Sequence, residues 1–228
     1  MNILFLGDSI TEGRPGVSYV DKVAARRPDD VIVNRGVGGD TVKSIRRRIL
    51  KMKDIATFDV VVLFVGVNDV FYKLDWKYPI LKILMRKPWC RDLAQLKVLF
   101  QDIVADLHHR ASRLIVVSPL LIGERLDNRW NTELRDVIAT EQQVVATYDD
   151  VTWLDVHAQA GEFLADKDVS DYEPDRPWQV MKDVIQLDND HMTDDRSRAR
   201  GLHLTLDGVH INSTGAELLM EAILSALT

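Results

Sequence analysis

The sequence predicts an α/β protein with a central parallel sheet of about five strands and helices on both faces. Short runs of β-branched residues alternate along the chain with longer segments whose apolar residues recur every three or four positions, a pattern typical of helix-covered parallel sheets. Most of the short runs are apolar throughout, as expected for strands that are buried on both faces. The predicted strands are Ile3–Leu6, Val31–Asn34, Val60–Val65, Leu114–Ser118 and Thr152–Asp155.

The predicted helices each carry one apolar stripe. A stripe in the middle of the chain consists of Leu93, Leu96, Leu99, Phe100, Ile103, Val104 and Leu107. A second stripe near the C-terminus consists of Leu218, Leu219, Ala222, Ile223, Ala226 and Leu227. Thr41 and Thr214 are predicted to cap the helices that follow them, because a threonine hydroxyl accepts a hydrogen bond from a first-turn N–H. Each helix is expected to bury its stripe against the sheet.

The 228 residues are expected to form a single domain, 1–228, because the apolar segments are spread evenly along the chain. Two stretches do not fit the alternation of strands and helices: about 70–91, rich in Trp, Tyr, Lys and Arg, and about 165–201, rich in Asp and Arg. Connections of this length in a compact domain are usually functional or mobile. We interpret both as insertions that form walls of a substrate pocket. The alternative, which the sequence supports equally well, is that they are solvent-exposed loops without a role in the site.

Four aromatic residues of these insertions are candidates for substrate contacts: Trp76, Tyr78, Trp89 and Trp178. Their rings could stack on sugars or line the site of an acyl chain. They could equally anchor the insertions to the body of the domain or form a dimer contact. The sequence leaves these roles open.

Composition disfavours several classes of protein. No segment approaches the roughly 20 apolar residues that span a bilayer, so stable membrane insertion is not expected. The first residues lead directly into a strand-like run without the basic flank and apolar stretch of a secretory signal, which predicts a cytoplasmic protein. Cys90 is the only cysteine, so neither an internal disulfide nor a thiolate cluster for structural zinc is expected. The net charge of -6 argues weakly against nucleic acid as the main partner.

Polar, glycine-containing clusters follow the first three predicted strands, and another precedes the last helix. They are Gly7–Ser9, Gly36–Thr41, Gly66–Asp69 and Asp207–His210. In an open α/β sheet, ligands bind beyond the carboxyl ends of the strands. The four clusters are therefore expected to meet in one site.

The residue types in these clusters fit acyl transfer through a serine nucleophile. A hydroxyl such as that of Ser9 attacks an ester only when a base takes its proton, and His210 is the candidate base. Asp207 lies three residues before His210, close enough in a turn to orient the imidazole. The candidate oxyanion donors are the backbone N–H groups of Ser9 and Gly39 and the side-chain amide of Asn68. Glycine at position 39 lets the backbone approach a substrate closely.

The four clusters together resemble the SGNH hydrolases, the GDSL family of esterases and lipases. Gly7–Ser9 is similar to the first block with its nucleophile, and Gly39 is similar to the oxyanion glycine of the second. Asn68 in Gly66–Asp69 is similar to the oxyanion asparagine of the third block, and Asp207–His210 is similar to the last block with its acid and base. The resemblance runs from Gly7 to His210, and the two insertions depart from the compact members.

The resemblance implies a three-layer flavodoxin-like fold, a shallow accessible site, and no metal or other cofactor. It implies a serine esterase that hydrolyses short-chain carboxylic esters, with O-acetyl groups of carbohydrates as one candidate substrate class, through an acyl-enzyme on Ser9. A small-molecule ester is then the expected partner, and formation of a homo-oligomer is left open. The alternatives are a lysophospholipase, a thioesterase or an acyltransferase on the same scaffold, and a non-enzymatic flavodoxin-like binding module.

Other motifs fit less well. Position 11 is Thr, so the segment around Ser9 is not the G-x-S-x-G elbow of the α/β-hydrolase superfamily. Gly36 and Gly38 begin a G-x-G-x-x-G pattern that Thr41 interrupts, so dinucleotide binding is not expected. Residues 188–190 begin like a calcium loop, but positions 193 and 199 carry Thr and Ala where such a loop needs Gly and Glu.

The sequence also contains a second candidate base and a concentration of basic residues. His157 follows the fifth predicted strand, but it lacks both a following helix and the Asp-x-x-His spacing, so we expect it to be packed. The helix after Thr41 and the first insertion are rich in basic residues: Lys43, Arg46, Arg47, Arg48, Lys51, Lys53, Lys82, Arg86, Lys87 and Arg91. We interpret them as a solvated face opposite the apolar stripe of Ile45, Ile49 and Met52. The alternative is attraction of an anionic acyl substrate or a phospholipid headgroup.

Overall fold

The computed structural model describes residues 1–74, 87–172 and 190–228, and these residues contain a five-stranded parallel sheet in the order β2-β1-β3-β4-β5. The strands are β1 Asn2–Gly7, β2 Val31–Gly36, β3 Val60–Phe64, β4 Leu114–Val117 and β5 Thr152–Leu154. All pairings are parallel, and in β1 Ile3 pairs with Ile32 on one side and with Val60 on the other. All five predicted strands are confirmed, with their ends shifted by at most two residues.

Burial follows position in the sheet. The central strands β1 and β3 are buried almost throughout, as continuous apolar runs predict. The edge strand β2 is only partly buried, and Val31 at its start is 58% exposed. The apolar core therefore lies around β1, β3 and β4.

The described residues contain nine α-helices. They are α1 Ser9–Glu12, α2 Tyr19–Arg26, α3 Val42–Ile49, α4 Val67–Leu74, α5 Leu93–Arg110, α6 Arg129–Val145, α7 Val156–Leu164, α8 Asp190–Ala199 and α9 Ser213–Leu227. Helix α9 packs on α2 and α7, whereas α5 packs on α3 and α6. Right-handed crossovers between neighbouring parallel strands place these two groups on opposite faces of the sheet. The three-layer flavodoxin-like arrangement is confirmed.

The apolar stripes are largely confirmed. In α5 the buried residues are Leu96, Phe100, Ile103, Val104 and Leu107, whereas Leu93 and Leu99 are only partly buried. In α9 the buried residues of the predicted stripe are Leu219, Ala222, Ile223 and Leu227, whereas Leu218 and Ala226 are only partly buried. In α3, Ile45 and Ile49 are buried and Met52 beyond the helix is partly buried.

One helix cap agrees with the sequence prediction and one does not. The Thr41 side chain accepts a hydrogen bond from the Ser44 N–H and caps α3. The prediction for Thr214 is wrong, because Asn212 caps α9 by accepting the Gly215 N–H at 3.0 Å. Thr214 already lies within the helix, and the short carboxamide of asparagine fits the extended backbone of a capping residue.

The two predicted insertions lie partly outside the described residues. Residues 75–86 and 173–189 are not among them, so Trp76, Tyr78, Trp178 and the 188–189 positions of the rejected calcium loop have no structural account. Residues 67–74 belong to α4, and 190–199 form α8. The single domain over 1–228 stays a prediction.

None of the described helices is long and apolar enough to cross a membrane.

Candidate active site

Ser9 begins α1 directly beyond the end of β1. At Gly7 there is no room for a side chain, because a Cβ there would lie 2.0 Å from Thr11 Oγ1 and 2.5 Å from the carbonyl oxygen of Phe64. Asp8 caps α1 through Oδ1, which accepts the N–H of the second helical residue at 3.0 Å. This tight turn from strand to helix presents Ser9 at the carboxyl edge of the sheet.

Ser9, His210 and Asp207 form a continuous chain of hydrogen bonds. His210 Nε2 lies 2.9 Å from Ser9 Oγ, and His210 Nδ1 lies 2.8 Å from Asp207 Oδ2. All three residues are nearly enclosed, since Ser9 and His210 are each 8% exposed and Asp207 is 1% exposed. The structure therefore brings together the three residues that the sequence singled out as nucleophile, base and acid.

The Asp207 carboxylate is held by the turn that contains His210. Its Oδ1 accepts the backbone N–H of His210 at 2.8 Å and that of Val209 at 3.1 Å. Burial raises the pKa of Asp207, but the positive charge of the His210 imidazolium and the hydrogen bonds outweigh burial, so the pKa is lowered overall. An ionised carboxylate only accepts hydrogen bonds, so Nδ1 of His210 carries a proton and, in the neutral ring, Nε2 is the acceptor that faces Ser9.

Gly39 lies in the turn between β2 and α3 with a φ of 71°, in the left-handed region that favours glycine. The next residue, Asp40, is buried, and its carboxylate binds Arg48 Nε at 2.6 Å and Lys87 Nζ at 2.5 Å. Arg48 also donates to the Gly7 carbonyl at 3.2 Å. These charge-assisted hydrogen bonds hold the turn of Gly39 against the end of β1.

Asn68 and Asp69 connect the turn after β3 to the two neighbouring turns. Asn68 Nδ2 donates to Asp8 Oδ2 at 3.1 Å, beside Ser9. Asp69 Oδ2 accepts the Val42 N–H at 2.8 Å, at the start of α3. The turns after β1, β2 and β3 are therefore tied together by side chains, as expected for loops that form one site.

His157 is packed, as the sequence analysis expected. Its Nδ1 lies 2.6 Å from the carbonyl oxygen of Leu120, and its backbone N–H donates to Ser118 Oγ at 3.1 Å. The expectation that no helix follows it is wrong, because His157 lies in the first turn of α7. The strand ends at Leu154, and the Asp155 side chain caps the helix at once by accepting the Ala158 N–H.

Glu141 is a buried carboxyl group near the site that the sequence analysis missed. Within the described part of the chain, neither of its side-chain oxygens has a hydrogen-bond partner, and Oε1 lies 2.8 Å from the position that a Cβ on Gly66 would occupy. Burial raises its pKa well above the usual 4.5, and the negative charges of Asp69 and Asp8 raise it further. Its signal in the sequence is a glutamate within the apolar stripe of α6, at the spacing of Leu134, Val137 and Ile138.

The arrangement of Ser9, His210 and Asp207 is suited to nucleophilic catalysis. A hydroxyl lies within hydrogen-bond distance of an imidazole whose other nitrogen faces a carboxylate, which is the arrangement that activates serine for attack on an acyl carbon. Among the described residues, no group of three His, Cys, Asp or Glu side chains is placed to hold a metal ion.

The fold and this site define the molecule as an ester hydrolase built on an α/β fold. More specifically, the chain belongs to the GDSL-like lipase/acylhydrolase family, whose model matches residues 5–218. The sequence resemblance to this family is thereby confirmed, and so is the prediction of an ester hydrolase. No curated protein matches the chain by sequence.

Several solved structures share the fold. An acetyl xylan esterase, AlAXEase, is 18% identical with a TM-score of 0.72, and the match covers 100% of both chains. The acetylxylan esterase Axe2 from Geobacillus stearothermophilus is 20% identical with a TM-score of 0.69, over 98% of this chain and 92% of that one. LAE5, an α/β hydrolase from the metagenome of Lake Arreo, Spain, is 18% identical with a TM-score of 0.68, over 99% of this chain and 94% of that one.

Proposed function

We propose that this enzyme is a serine esterase that removes short acyl groups, with O-acetyl groups of carbohydrates as its substrate class. The observation that carries the proposal is the 2.9 Å contact between Ser9 Oγ and His210 Nε2. The substrate class is supported by the structural neighbours, since AlAXEase and Axe2 are both acetyl xylan esterases.

In the proposed acylation step, Ser9 Oγ attacks the ester carbonyl carbon while its proton passes to His210 Nε2. The tetrahedral intermediate then expels the alcohol, which takes that proton from Nε2, and the acyl group stays on Ser9. In the second step a water molecule gives a proton to Nε2 and attacks the acyl carbon. The carboxylic acid leaves, and Ser9 Oγ recovers the proton from His210.

Asp207 is proposed to orient the imidazole and to stabilise its protonated form. Its contact with Nδ1 at 2.8 Å supports this role, as do the two backbone N–H groups that hold its other oxygen. Asp207 would stay ionised throughout, because the proton of Ser9 travels only to Nε2 and back.

The proposed oxyanion donors are the N–H groups of Ser9 and Gly39 and the side-chain amide of Asn68. The Ser9 N–H is the first of α1 and therefore has no acceptor within the helix. Gly39 carries no side chain to block a substrate, and the Asp8 contact orients the Asn68 amide toward the turn that holds Ser9. Preorganised donors of this kind stabilise the charge that develops on the carbonyl oxygen.

The first insertion is proposed to form one wall of the substrate pocket. Where the described chain resumes, Lys87 binds the Asp40 carboxylate at 2.5 Å, and Thr41 Oγ1 donates to the carbonyl of Pro88. Both contacts are next to Gly39, so the returning end of the insertion is fixed beside the proposed oxyanion donors. An insertion anchored there can set how long an acyl group the site accepts.

The proposal can be tested with wild type, Ser9→Ala and a control, Ser225→Ala, which removes the same hydroxyl from α9. The substrates are acetylated xylo-oligosaccharides and p-nitrophenyl esters of increasing chain length. We expect Ser9→Ala to lose at least ~10³-fold in kcat and Ser225→Ala to match wild type. An active Ser9→Ala enzyme would remove the proposed nucleophile.

The same assay separates the alternative substrates. A preference for acetyl over longer esters supports the proposal, whereas turnover of long-chain esters alone would indicate a lysophospholipase or thioesterase. Analysis of products with an added alcohol or sugar identifies an acyltransferase, because the acyl group then appears on the acceptor rather than as free acid.

A further inference from the structure

Glu124 lies between β4 and α6, and its carboxylate accepts hydrogen bonds from the segment just before Asp207. Oε2 accepts the His203 N–H at 2.7 Å, and Oε1 accepts the N–H groups of Leu204 at 2.8 Å and Thr205 at 2.9 Å. Oε1 also accepts the Thr205 hydroxyl at 2.8 Å. Glu124 is only 1% exposed, so these bonds form in a site closed to solvent.

The contacts of Glu124 continue into the turn that contains His210. Thr205 Oγ1 donates to Glu124 and accepts the Gly208 N–H at 3.2 Å. The residue before Glu124 takes part as well, because the Gly123 N–H donates to the Gly208 carbonyl at 2.7 Å. The segment 123–124 therefore holds residue 208, between the proposed acid and base, through both its N–H and its carbonyl.

The turn is closed by its own bonds as well. The Leu206 N–H donates to the His210 carbonyl at 2.7 Å, and Thr205 and Ile211 form an antiparallel bridge. These bonds keep Asp207 and His210 in register with each other. They do not decide where the turn lies relative to the sheet that carries Ser9. Contacts from the connection between β4 and α6 contribute to that placement, as does the bond from the Val17 N–H to the Ile211 carbonyl at 2.9 Å.

The donors around position 124 also explain why a glutamate, rather than a glutamine, suits this position. Three successive N–H groups and a hydroxyl converge on it, and a carboxylate is an acceptor only, with about four lone-pair sites. A carboxamide in the same place would turn an NH₂ group toward N–H donors. Hydrogen bonds to a charged acceptor are also stronger than neutral ones.

We propose that Glu124 is a positioning residue for ester hydrolysis, which places the turn of Asp207 and His210 so that Nε2 reaches Ser9 Oγ. This inference rests on the proposed function of Ser9 and His210. Glu124 does not touch the substrate and acts only through the 203–208 segment. A displacement of the turn would lengthen the contact between Nε2 and Oγ without breaking the contact between Nδ1 and Asp207.

The test compares Glu124→Gln with Asp127→Asn, which removes an exposed carboxylate from the same connection. Protein folding is checked by circular dichroism, and kcat and KM are measured for a p-nitrophenyl acetate series over pH 5–9. We expect kcat of folded Glu124→Gln to fall about 10²-fold, the loss typical of an ångström-scale misplacement, with KM unchanged. Asp127→Asn is expected to retain both values.

The pH profile distinguishes a displaced Asp207–His210 turn from loss of the Asp207 carboxylate. In Glu124→Gln the acid limb of kcat/KM stays at the wild-type pH, because the contact between Asp207 and His210 lies within the turn. In Asp207→Asn the limb moves to lower pH, because the imidazolium loses its negative partner. Should Glu124→Gln fail to fold, Thr205→Val removes the hydroxyl that joins Glu124 to Gly208 and is expected to lower kcat in the same direction.

The inference is wrong if the variant that folds has the kcat of wild type. It is equally wrong if that variant only has a lower thermal stability while kcat per folded molecule is unchanged. Neither result would affect the proposed function. That proposal fails separately, if Ser9→Ala keeps its activity.

Discussion

His210 Nε2 lies 2.9 Å from Ser9 Oγ, although 201 residues separate the two side chains in sequence. Ser9 follows the first strand, and His210 precedes the last helix, which packs against α2. The contact is thus a product of the tertiary structure alone.

Replacement of Asp207 by Asn is expected to lower kcat by roughly 10⁴-fold, as loss of the orienting carboxylate does in other serine hydrolases. The amide keeps the shape of the side chain but no longer favours a proton on Nδ1 of His210. Steady-state kinetics on p-nitrophenyl acetate measures the loss, with the exposed Asp166→Asn as the matched control. A loss below tenfold would contradict an orienting role.

Replacement of Asn68 by Ala is expected to raise the activation barrier by about 2.7–4 kcal/mol if the amide donates to the oxyanion. The loss should appear in kcat with KM nearly unchanged, because the charge exists only near the transition state. Gln142→Ala, on the exposed face of α6, controls for removal of an amide. An unchanged kcat would exclude Asn68 from the oxyanion site.

The value of kcat/KM is expected to rise with pH as His210, the proposed base for Ser9, loses its proton. The lowered pKa of Asp207 keeps its carboxylate charged while His210 titrates, so the limb belongs to His210. Rates measured from pH 5 to 8 in constant ionic strength test this expectation. A flat profile would count against His210 as the base.

Glu141→Gln is expected to stabilise the protein increasingly as the pH rises above 4.5. The pKa of Glu141 is raised in the folded state, so between 4.5 and that higher value the folded state binds more protons than the unfolded state. The free energy of unfolding of wild type then falls by up to about 1.4 kcal/mol per pH unit. Below 4.5 both states hold the proton and the effect disappears.

Urea unfolding at several pH values measures this difference between wild type and Glu141→Gln. Asp136→Asn, an exposed substitution on the same helix, is the control and should follow wild type. If the difference between Glu141→Gln and wild type does not change with pH, Glu141 is not held protonated by burial.

The sequence was sufficient for the strands and for the three residues of the hydrogen-bonded chain. The strands are buried apolar runs, and parallel strands bring the segments at their carboxyl ends to one edge. Together with the resemblance of the four clusters to the GDSL family, this was enough to predict that Ser9, Asp207 and His210 meet in one site. The cap prediction for Thr214 was wrong because Asn212, two residues earlier, carries a side chain that is preferred over threonine at the capping position.

Glu124 and Glu141 could not be assigned roles from the sequence. The hydrogen bonds of Glu124 join residues about 80 positions apart, and nothing near position 124 indicates which donors it will meet. Glu141 could be seen as a charge within an apolar stripe, but its closeness to Gly66, Asp69 and Asp8 depends on how α6 packs beside the turn after β3. Both are consequences of packing between distant segments.

Asp69 joins the first turn of α3 to the first turn of α4, which carries Asn68. The segments that carry Gly39 and Asn68 are therefore linked to each other directly. A substitution inside α3 or α4 can then alter both of these proposed oxyanion donors at once. Variants selected for new substrates should therefore keep the hydrogen bond between Asp69 and the Val42 N–H and change residues in other segments around the site.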